Sequence, residues 1–163
     1  SEALEAVRVR LAAVQGKSDR VMTWVKAQGS SISPRALKDL FYAARNHGHH
    51  TLAASLAETL YGIEQTTETR SMLAATYVTG KQYVKAVNLL RGAKSLSDAD
   101  ENNYLMALTQ LAKTSPEYRR ELGDYAASRL NGSLPEKRKL ALIYALIDAG
   151  QIEPAMPHIR TYA

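Results

Sequence analysis

The feature that most constrains this chain is a helical segment that recurs and ends each time on a glycine. In four stretches, apolar residues recur at positions i, i+3, i+4 and i+7, which places them on one face of an α-helix. Glycine is well suited to the left-handed backbone conformation that closes a helix. The four closing glycines are Gly16, Gly48, Gly80 and Gly150. No segment alternates apolar and polar residues as a strand does, so the pattern predicts an all-α fold.

The spacing of the glycines indicates a repeated helix-turn-helix unit. Gly48 and Gly150 are 102 residues apart, which is three times 34. A second, shorter amphipathic helix follows each glycine, and units of this length stack side by side to bury a shared core. The pattern therefore predicts one array of five helical pairs over residues 1–163. The predicted pairs are 2–15 with 17–28, 34–47 with 49–62, 67–79 with 81–94, 99–113 with 116–131, and 135–149 with 151–163.

Residues at the predicted helix starts agree with these boundaries. Ser33 and Ser115 each precede a proline, which predicts a capping serine followed by proline at the first helical position. Pro135 is expected to occupy the same position in the ninth helix. Pro157 lies deeper in the last helix and is expected to distort it, because proline lacks the N–H of the helical hydrogen bond.

The pattern of large and small residues within the pairs resembles the tetratricopeptide repeat (TPR) family. In that family the first helix of a pair carries a large apolar, a small and an aromatic residue. The second helix carries a small residue where the two helices cross, which lets them approach closely. The third pair has all the matching residues: Leu73, Ala74, Tyr77, Ala86, Leu90 and Ala93. The resemblance implies a right-handed superhelical solenoid of about five antiparallel helix-turn-helix repeats.

The other pairs match the family to different degrees. The second and fifth pairs share part of the pattern, whereas the first matches it less. The fourth pair departs from it, since Arg120 or Glu121 stands where alanine is expected. The family's tryptophan on the first helix is missing from every pair. Arrays of other helical hairpins therefore stay an alternative.

Composition and motifs argue against several classes of function. The chain has no cysteine, which excludes disulfides, thiolate metal sites and cysteine nucleophiles. It contains no phosphate-binding glycine loop and no nucleophile elbow. We therefore expect no enzyme activity, no catalytic residue and no cofactor. The 21 basic and 16 acidic residues give a net charge of +5 but are spread along the chain, so no nucleic-acid binding is expected.

Two short clusters resemble metal sites, and neither is expected to bind a metal. His47, His49 and His50 lie close together in sequence, but they straddle a turn instead of sharing the spacing of a helical site. The acidic run at 98–101 begins like a calcium-binding loop, yet Asn103 stands where that loop requires glycine. Acidic residues at a helix start are favoured by the helix dipole, which explains the run more simply.

The TPR resemblance also implies where a protein partner would bind. In TPR arrays the first helix of each pair lines a concave groove, and its outward residues contact the partner. In the second pair these residues form a basic, tyrosine-bearing patch that suits an acidic peptide segment, although a solvated helix start is the alternative. The strongest candidates are Arg35, Lys38, Tyr42, Arg45 and Asn46 in the second pair and Tyr144 in the fifth. Further candidates are Asn103, Met106, Gln110 and Lys113 in the fourth pair and Lys137, Leu140 and Asp148 in the fifth.

With its alanine-rich, divergent repeats and abrupt ends, the chain resembles the periplasmic TPR scaffolds of bacterial exopolysaccharide export proteins, such as those that export the Pel polysaccharide. This similarity implies a fragment of a longer outer-membrane protein, which meets the membrane only through its parent. The implied partner is a polysaccharide-modifying enzyme docked near the export pore, with weak contact to the polysaccharide through exposed tyrosines. Two alternatives stay open. One is a cytoplasmic adaptor or regulator that holds a peptide in its groove, and the other is a helical accessory domain of a cell-wall enzyme.

Overall fold

The computed structural model describes residues 1–160 of the chain, and this part is all-helical, which confirms the predicted all-α class. It contains ten α-helices and a short 3-10 turn at Gly29–Ser31. The helices are α1 (Glu2–Val14), α2 (Ser18–Gln28), α3 (Pro34–Asn46), α4 (His50–Ile63), α5 (Thr67–Thr79), α6 (Tyr83–Leu90), α7 (Asp98–Ala112), α8 (Pro116–Leu130), α9 (Glu136–Asp148) and α10 (Ile152–Arg160). The predicted last helix also covers residues 161–163, which lie outside the described residues.

Two of the predicted helix starts are wrong in detail. The Ser33 hydroxyl caps α3 by accepting a hydrogen bond from the Ala36 N–H at 3.1 Å, as predicted. The Ser115 side chain makes no capping bond. Its backbone angles differ from those of Ser33, with φ and ψ of −124° and 116° against −83° and 147°. Pro135 flanks α9 as its N-cap residue, so the first helical position belongs to Glu136.

The glycine turns agree with the sequence prediction at three of the four positions. Gly16, Gly48 and Gly150 have φ values of 73°, 79° and 77°. The prediction is wrong at Gly80, which has a φ of −83° because the left-handed conformation falls one residue later. Lys81 adopts it, with a φ of 59°. A side chain at such a position costs roughly 1 kcal/mol relative to glycine.

The described helices divide into two compact units, Ser1–Lys81 and Gln82–Ala163, and the boundary falls in the turn of the third predicted pair. In the first unit, α3 packs against α1 and α4, and α4 packs against α5. The core of this unit is built on fully buried large side chains. They include Leu37, Phe41, Leu52, Leu56 and Leu60.

The second unit is organised around α7, which packs against α6, α8 and α9. Its fully buried apolar side chains include Leu90, Leu108, Leu122, Leu142 and Leu146. Helix α6 ends at Leu90, four residues earlier than predicted, because Arg91 is extended and Gly92 has a φ of 79°. Residues 91–97 therefore form a loop that leads into α7.

Candidate functional site

The five candidate residues of the second pair lie on α3, in the first unit. Arg35, Lys38, Tyr42 and Arg45 follow one another at intervals of three or four residues, so they share one side of the helix. The Arg45 guanidinium carbon lies 4.8 Å from the centre of the Tyr42 ring. Its Nη2 also donates a hydrogen bond to Asn46 Oδ1 at 3.3 Å. The exposed Tyr42 and Arg45 thus form a stacked pair at the C-terminal end of this face.

Lys38 differs from the other basic residues of α3, because its charge is already paired within the unit. Its Nζ lies 4.0 Å from Glu64 Oε2 and 3.8 Å from Glu68 Oε1. The side chain is also half-buried. An acidic partner would have to compete with these two carboxylates for Lys38. The positive charge offered by this face therefore comes mainly from Arg35 and Arg45.

Tyr144, the remaining strong candidate, lies on α9 in the second unit and not with the α3 residues. A groove of about 480 Å³ runs between α7 and α9, and Tyr144 forms part of its wall. Its apolar floor is made by Leu105, Ala141 and Ala145. Five of the residues predicted to face a partner line this groove together: Met106, Gln110, Lys113, Tyr144 and Asp148. We call this feature the α7–α9 groove.

The α7–α9 groove combines exposed apolar surface with polar groups. Met106 is 48% exposed and Tyr144 is 61% exposed, so two large side chains leave surface open within the same groove. Lys113 Nζ donates a hydrogen bond to Gln110 Oε1 at 3.2 Å. The Asp148 carboxylate makes no hydrogen bond or ion pair with any residue of the described range. The groove thus offers apolar contacts along its length and opposite charges near the C-terminal ends of its helices.

A buried ion-pair network fixes the helices that form this groove. Glu101 of α7 is only 2% exposed, and it binds an arginine from each of the two following helices. Glu101 Oε1 accepts hydrogen bonds from Arg138 Nε at 3.0 Å and Arg138 Nη2 at 2.6 Å. Glu101 Oε2 accepts one from Arg129 Nε at 2.6 Å and another from the Tyr125 hydroxyl. One carboxylate therefore ties α7 to both α8 and α9.

The network also shifts the ionisation of its members. Burial alone would raise the pKa of Glu101, but hydrogen bonds from Arg129, Tyr125 and Arg138 lower this pKa to about 2. Burial and the hydrogen bond to Glu101 raise the pKa of the Tyr125 hydroxyl well above its usual range. Glu101 is therefore ionised and Tyr125 is neutral at every physiological pH.

A second, smaller network adjoins the first. Arg91 donates to both carboxylate oxygens of Glu121, at 3.1 and 2.8 Å, and the Tyr104 hydroxyl donates to Glu121 Oε2 at 2.7 Å. The rings of Tyr104 and Tyr125 meet edge to face with 4.9 Å between their centres. Glu121 is one of the two residues that stand where the TPR pattern expects alanine. The structure accounts for this departure by a salt bridge to Arg91.

Sequence reasoning missed the Glu101 network, although one signal was present. The sequence pattern places Glu101 in an acidic helix start. However, it shares a helical stripe with Leu105, Leu108 and Ala112, all of which are buried. A charged residue within a buried stripe requires a partner of opposite charge. The partners Arg129 and Arg138 lie 28 and 37 residues away, so no local pattern identifies them.

His47 and His49 of the histidine cluster place their ring nitrogens against backbone carbonyl oxygens. His47 Nδ1 lies 2.9 Å from the Ala43 carbonyl oxygen, and His49 Nε2 lies 2.8 Å from that of Val14. The His49 ring also lies against Gly16, where an added Cβ would come within 2.4 Å of Nδ1. Over residues 1–160, no three His, Asp or Glu side chains are grouped so that they could hold a metal ion.

None of the helices described is both long enough and apolar enough to cross a membrane.

No family model matches the chain, and no curated protein or solved structure is significantly similar to it. The function must therefore be inferred from the chain's own residues.

Proposed function

We propose that this protein is a non-catalytic scaffold that binds another protein, built of TPR-like helical pairs in a right-handed superhelical solenoid. The observation that carries the proposal is the α7–α9 groove, in which Met106 and Tyr144 expose large apolar surfaces beside polar side chains. Exposed apolar surface of this kind, bordered by polar groups, is typical of sites that bind a partner.

The energetics of the groove support binding of a peptide segment. Complete burial of a large apolar side chain contributes about 1.5–3 kcal/mol, and Met106 and Tyr144 each have about half of their surface still to bury. Tyrosine is enriched among residues that dominate binding energy at interfaces. Because the Glu101 network already holds α7, α8 and α9 together, little ordering is needed on binding, which reduces its entropic cost.

We further propose that the chain is the periplasmic TPR region of a bacterial exopolysaccharide export protein. Its partner would be a polysaccharide-modifying enzyme that docks near the outer-membrane pore. The support for this assignment is the resemblance of the repeats to that group of proteins. The side of α3 that carries Arg35 and the stacked Tyr42–Arg45 pair, which we call the α3 face, would supply a second contact for an acidic segment of the same enzyme. Exposed tyrosines such as Tyr144 would add weak contact to the polysaccharide.

The test is affinity capture from separate periplasmic and cytoplasmic extracts of the source organism, followed by mass spectrometry. The wild-type chain is expected to recover a polysaccharide-modifying enzyme from the periplasmic extract. A variant with Met106→Ala and Tyr144→Ala should lose it. The matched control is Ile152→Ala, which removes a comparably exposed apolar side chain from α10, outside the groove. Circular dichroism of each variant establishes that its helices are intact.

The other outcomes discriminate between the alternatives. If the wild type and the groove variant capture the enzyme equally well, the partner contacts a surface other than the α7–α9 groove. The α3 face is then tested with Arg35→Glu and Arg45→Glu. Specific capture only from the cytoplasmic extract would refute the export assignment and favour a cytoplasmic adaptor.

A further inference from the structure

The second unit contains another cavity, separate from the α7–α9 groove. It has a volume of about 250 Å³ and lies under the loop at residues 91–97. The loop forms one side, and the ion-pair network forms the other through Glu101, Tyr125 and Arg129. Tyr104 adds an aromatic wall. We call this feature the loop pocket.

Among the described residues, Glu101 is the only carboxylate that lines the loop pocket, and it has no capacity left to bind a cation. Glu101 Oε1 accepts three hydrogen bonds, two from Arg138 and one from Arg129 Nη2 at 3.3 Å. Glu101 Oε2 accepts one from Arg129 Nε and one from the Tyr125 hydroxyl. A carboxylate offers about four acceptor positions, so this one is saturated.

Arg129, by contrast, has donors to spare. It pairs with Glu101 side-on, through Nε and Nη2, and this geometry directs Nη1 away from the carboxylate. Nη1 donates no hydrogen bond to any described residue. The Arg129 side chain is 35% exposed and lines the loop pocket, whereas Glu101 behind it is almost fully buried. Arg129 therefore lines the pocket and has N–H groups that bind no described residue.

The loop supplies further donors. Among residues 1–160, no protein acceptor takes a hydrogen bond from the backbone N–H groups of Lys94, Ser95 or Leu96, all of which line the pocket. The Lys94 ammonium also has no acidic partner within that range. Where successive backbone N–H groups converge in a turn, they favour an anion.

The charges around the pocket also favour an anion. Two guanidinium groups, of Arg129 and Arg138, surround the buried carboxylate of Glu101. Asp98 lies 3.7 Å from Arg138, but it is largely solvated and so compensates weakly. The neighbouring Arg91–Glu121 pair is neutral as a whole. Of the charged side chains that line the pocket, Lys94 and Arg129 are basic and Glu101 is acidic, so the lining carries one net positive charge.

We propose that the loop pocket binds a small oxyanion, such as the phosphate or carboxylate group of a small molecule. Its cavity volume is roughly that of eight water molecules, since water occupies about 30 Å³ each in the liquid. This space holds a small free molecule but no folded segment of a partner. The ligand would receive hydrogen bonds from Arg129 Nη1, from the loop N–H groups and from Lys94. The site is independent of the scaffold function proposed above.

The experiment is a titration of the ¹⁵N-labelled chain with sodium phosphate, and separately with sodium acetate, at constant ionic strength. The amide resonances of Lys94, Ser95 and Leu96 and the Nε resonance of Arg129 are expected to shift together and to saturate. The dissociation constant should be on the order of 1 mM. The ion that saturates the shifts identifies the preferred oxyanion.

Variants keep the test specific. Replacement of Arg129 would break the Glu101 network, so the informative change is Lys94→Ala in the exposed loop. It should weaken binding about threefold to tenfold, through loss of a charge-assisted contact. Lys26→Ala, which removes an exposed lysine of α2, is the matched control and should leave binding unchanged. Shifts that stay linear with both ions, or that weaken equally in the two variants, would overturn the proposal.

Discussion

Replacing Glu101 with glutamine removes the central charge of the second unit while it leaves the side-chain volume almost unchanged. The two arginines then face a neutral amide that can accept fewer and weaker hydrogen bonds. Arg138 is only 8% exposed, so its charge has little access to water. Arg129 is more exposed and can recover part of its hydration.

Two independent considerations set the size of the effect. Removal of one partner from a buried ion pair typically costs 3–5 kcal/mol. The lowering of the Glu101 pKa from 4.5 to about 2 corresponds to about 3 kcal/mol of stabilisation at neutral pH. Because Arg129 can rehydrate, we expect a value near the lower end, about 3 kcal/mol.

The assay is urea unfolding followed by circular dichroism at a series of pH values. A carboxylate with a lowered pKa in the folded state stabilises the fold above its unfolded pKa, and this contribution disappears as the pH falls through the folded value. The wild type should therefore lose about 3 kcal/mol of unfolding free energy between pH 4.5 and pH 2, in excess of any loss in Glu101→Gln. The matched control Glu117→Gln alters an exposed carboxylate of α8 and should change stability by no more than about 0.5 kcal/mol.

A loss of less than about 1 kcal/mol in Glu101→Gln at neutral pH would refute the conclusion that this network holds the second unit together. The same conclusion would fall if the variant and the wild type lost stability in parallel between pH 4.5 and pH 2. A double variant, Glu101→Leu with Arg138→Met, tests whether the cost comes from the orphaned charge. It should recover much of the stability lost in Glu101→Gln, because apolar residues of similar volume can replace a buried pair.

Three further predictions concern single positions in the first unit. Gly16→Ala should lower the melting temperature, with a destabilisation of more than 1 kcal/mol, because Gly16 has a φ of 73° and its added Cβ would collide with the His49 ring. The control is Gly62→Ala, where an added Cβ meets nothing within 4 Å. Lys81→Gly should raise the unfolding free energy by roughly 1 kcal/mol in denaturant titrations, since it relieves the left-handed strain; an unchanged or lower value would contradict that reasoning. Burial, with Glu58 nearby, raises the pKa of Tyr77 to about 12. In an ultraviolet-absorbance titration of the tyrosines, Tyr77→Phe should therefore remove a step at high pH, and loss of a step at lower pH would contradict this assignment.

The helices could be predicted from the sequence because their signals are local. Apolar spacing locates each helix, and a serine or threonine such as Ser33 marks its start. One error arises where two neighbouring residues compete for the same backbone conformation. At Gly80 and Lys81, either residue could adopt the left-handed conformation, and the Thr76 carbonyl still accepts the Gly80 N–H at 3.0 Å, which continues the helix by one residue.

The candidate site could be predicted in part. The TPR resemblance implied that Met106, Gln110 and Tyr144 face a partner, and in the structure all three line one groove. Their grouping in one groove depends on the packing of α7 against α9, which no local pattern specifies. The same limit applies to the Glu101 network and to the pairing of Lys38 with Glu64 and Glu68. Each of these contacts joins residues that are distant in sequence or depends on a particular helix orientation.

The separation between Glu101 and its arginines has a consequence for synthesis on the ribosome. Arg129 is added 28 residues after Glu101, and Arg138 is added 37 residues after it. At about 5–20 residues per second, a nascent chain carries Glu101 for roughly 2–7 s before Arg138 exists to bind it. During this interval α7 has no partner from α9, whereas all five helices of the first unit have already been made. Until Arg138 is added, the second unit therefore lacks its central ion-pair network and stays open to chaperones and proteases.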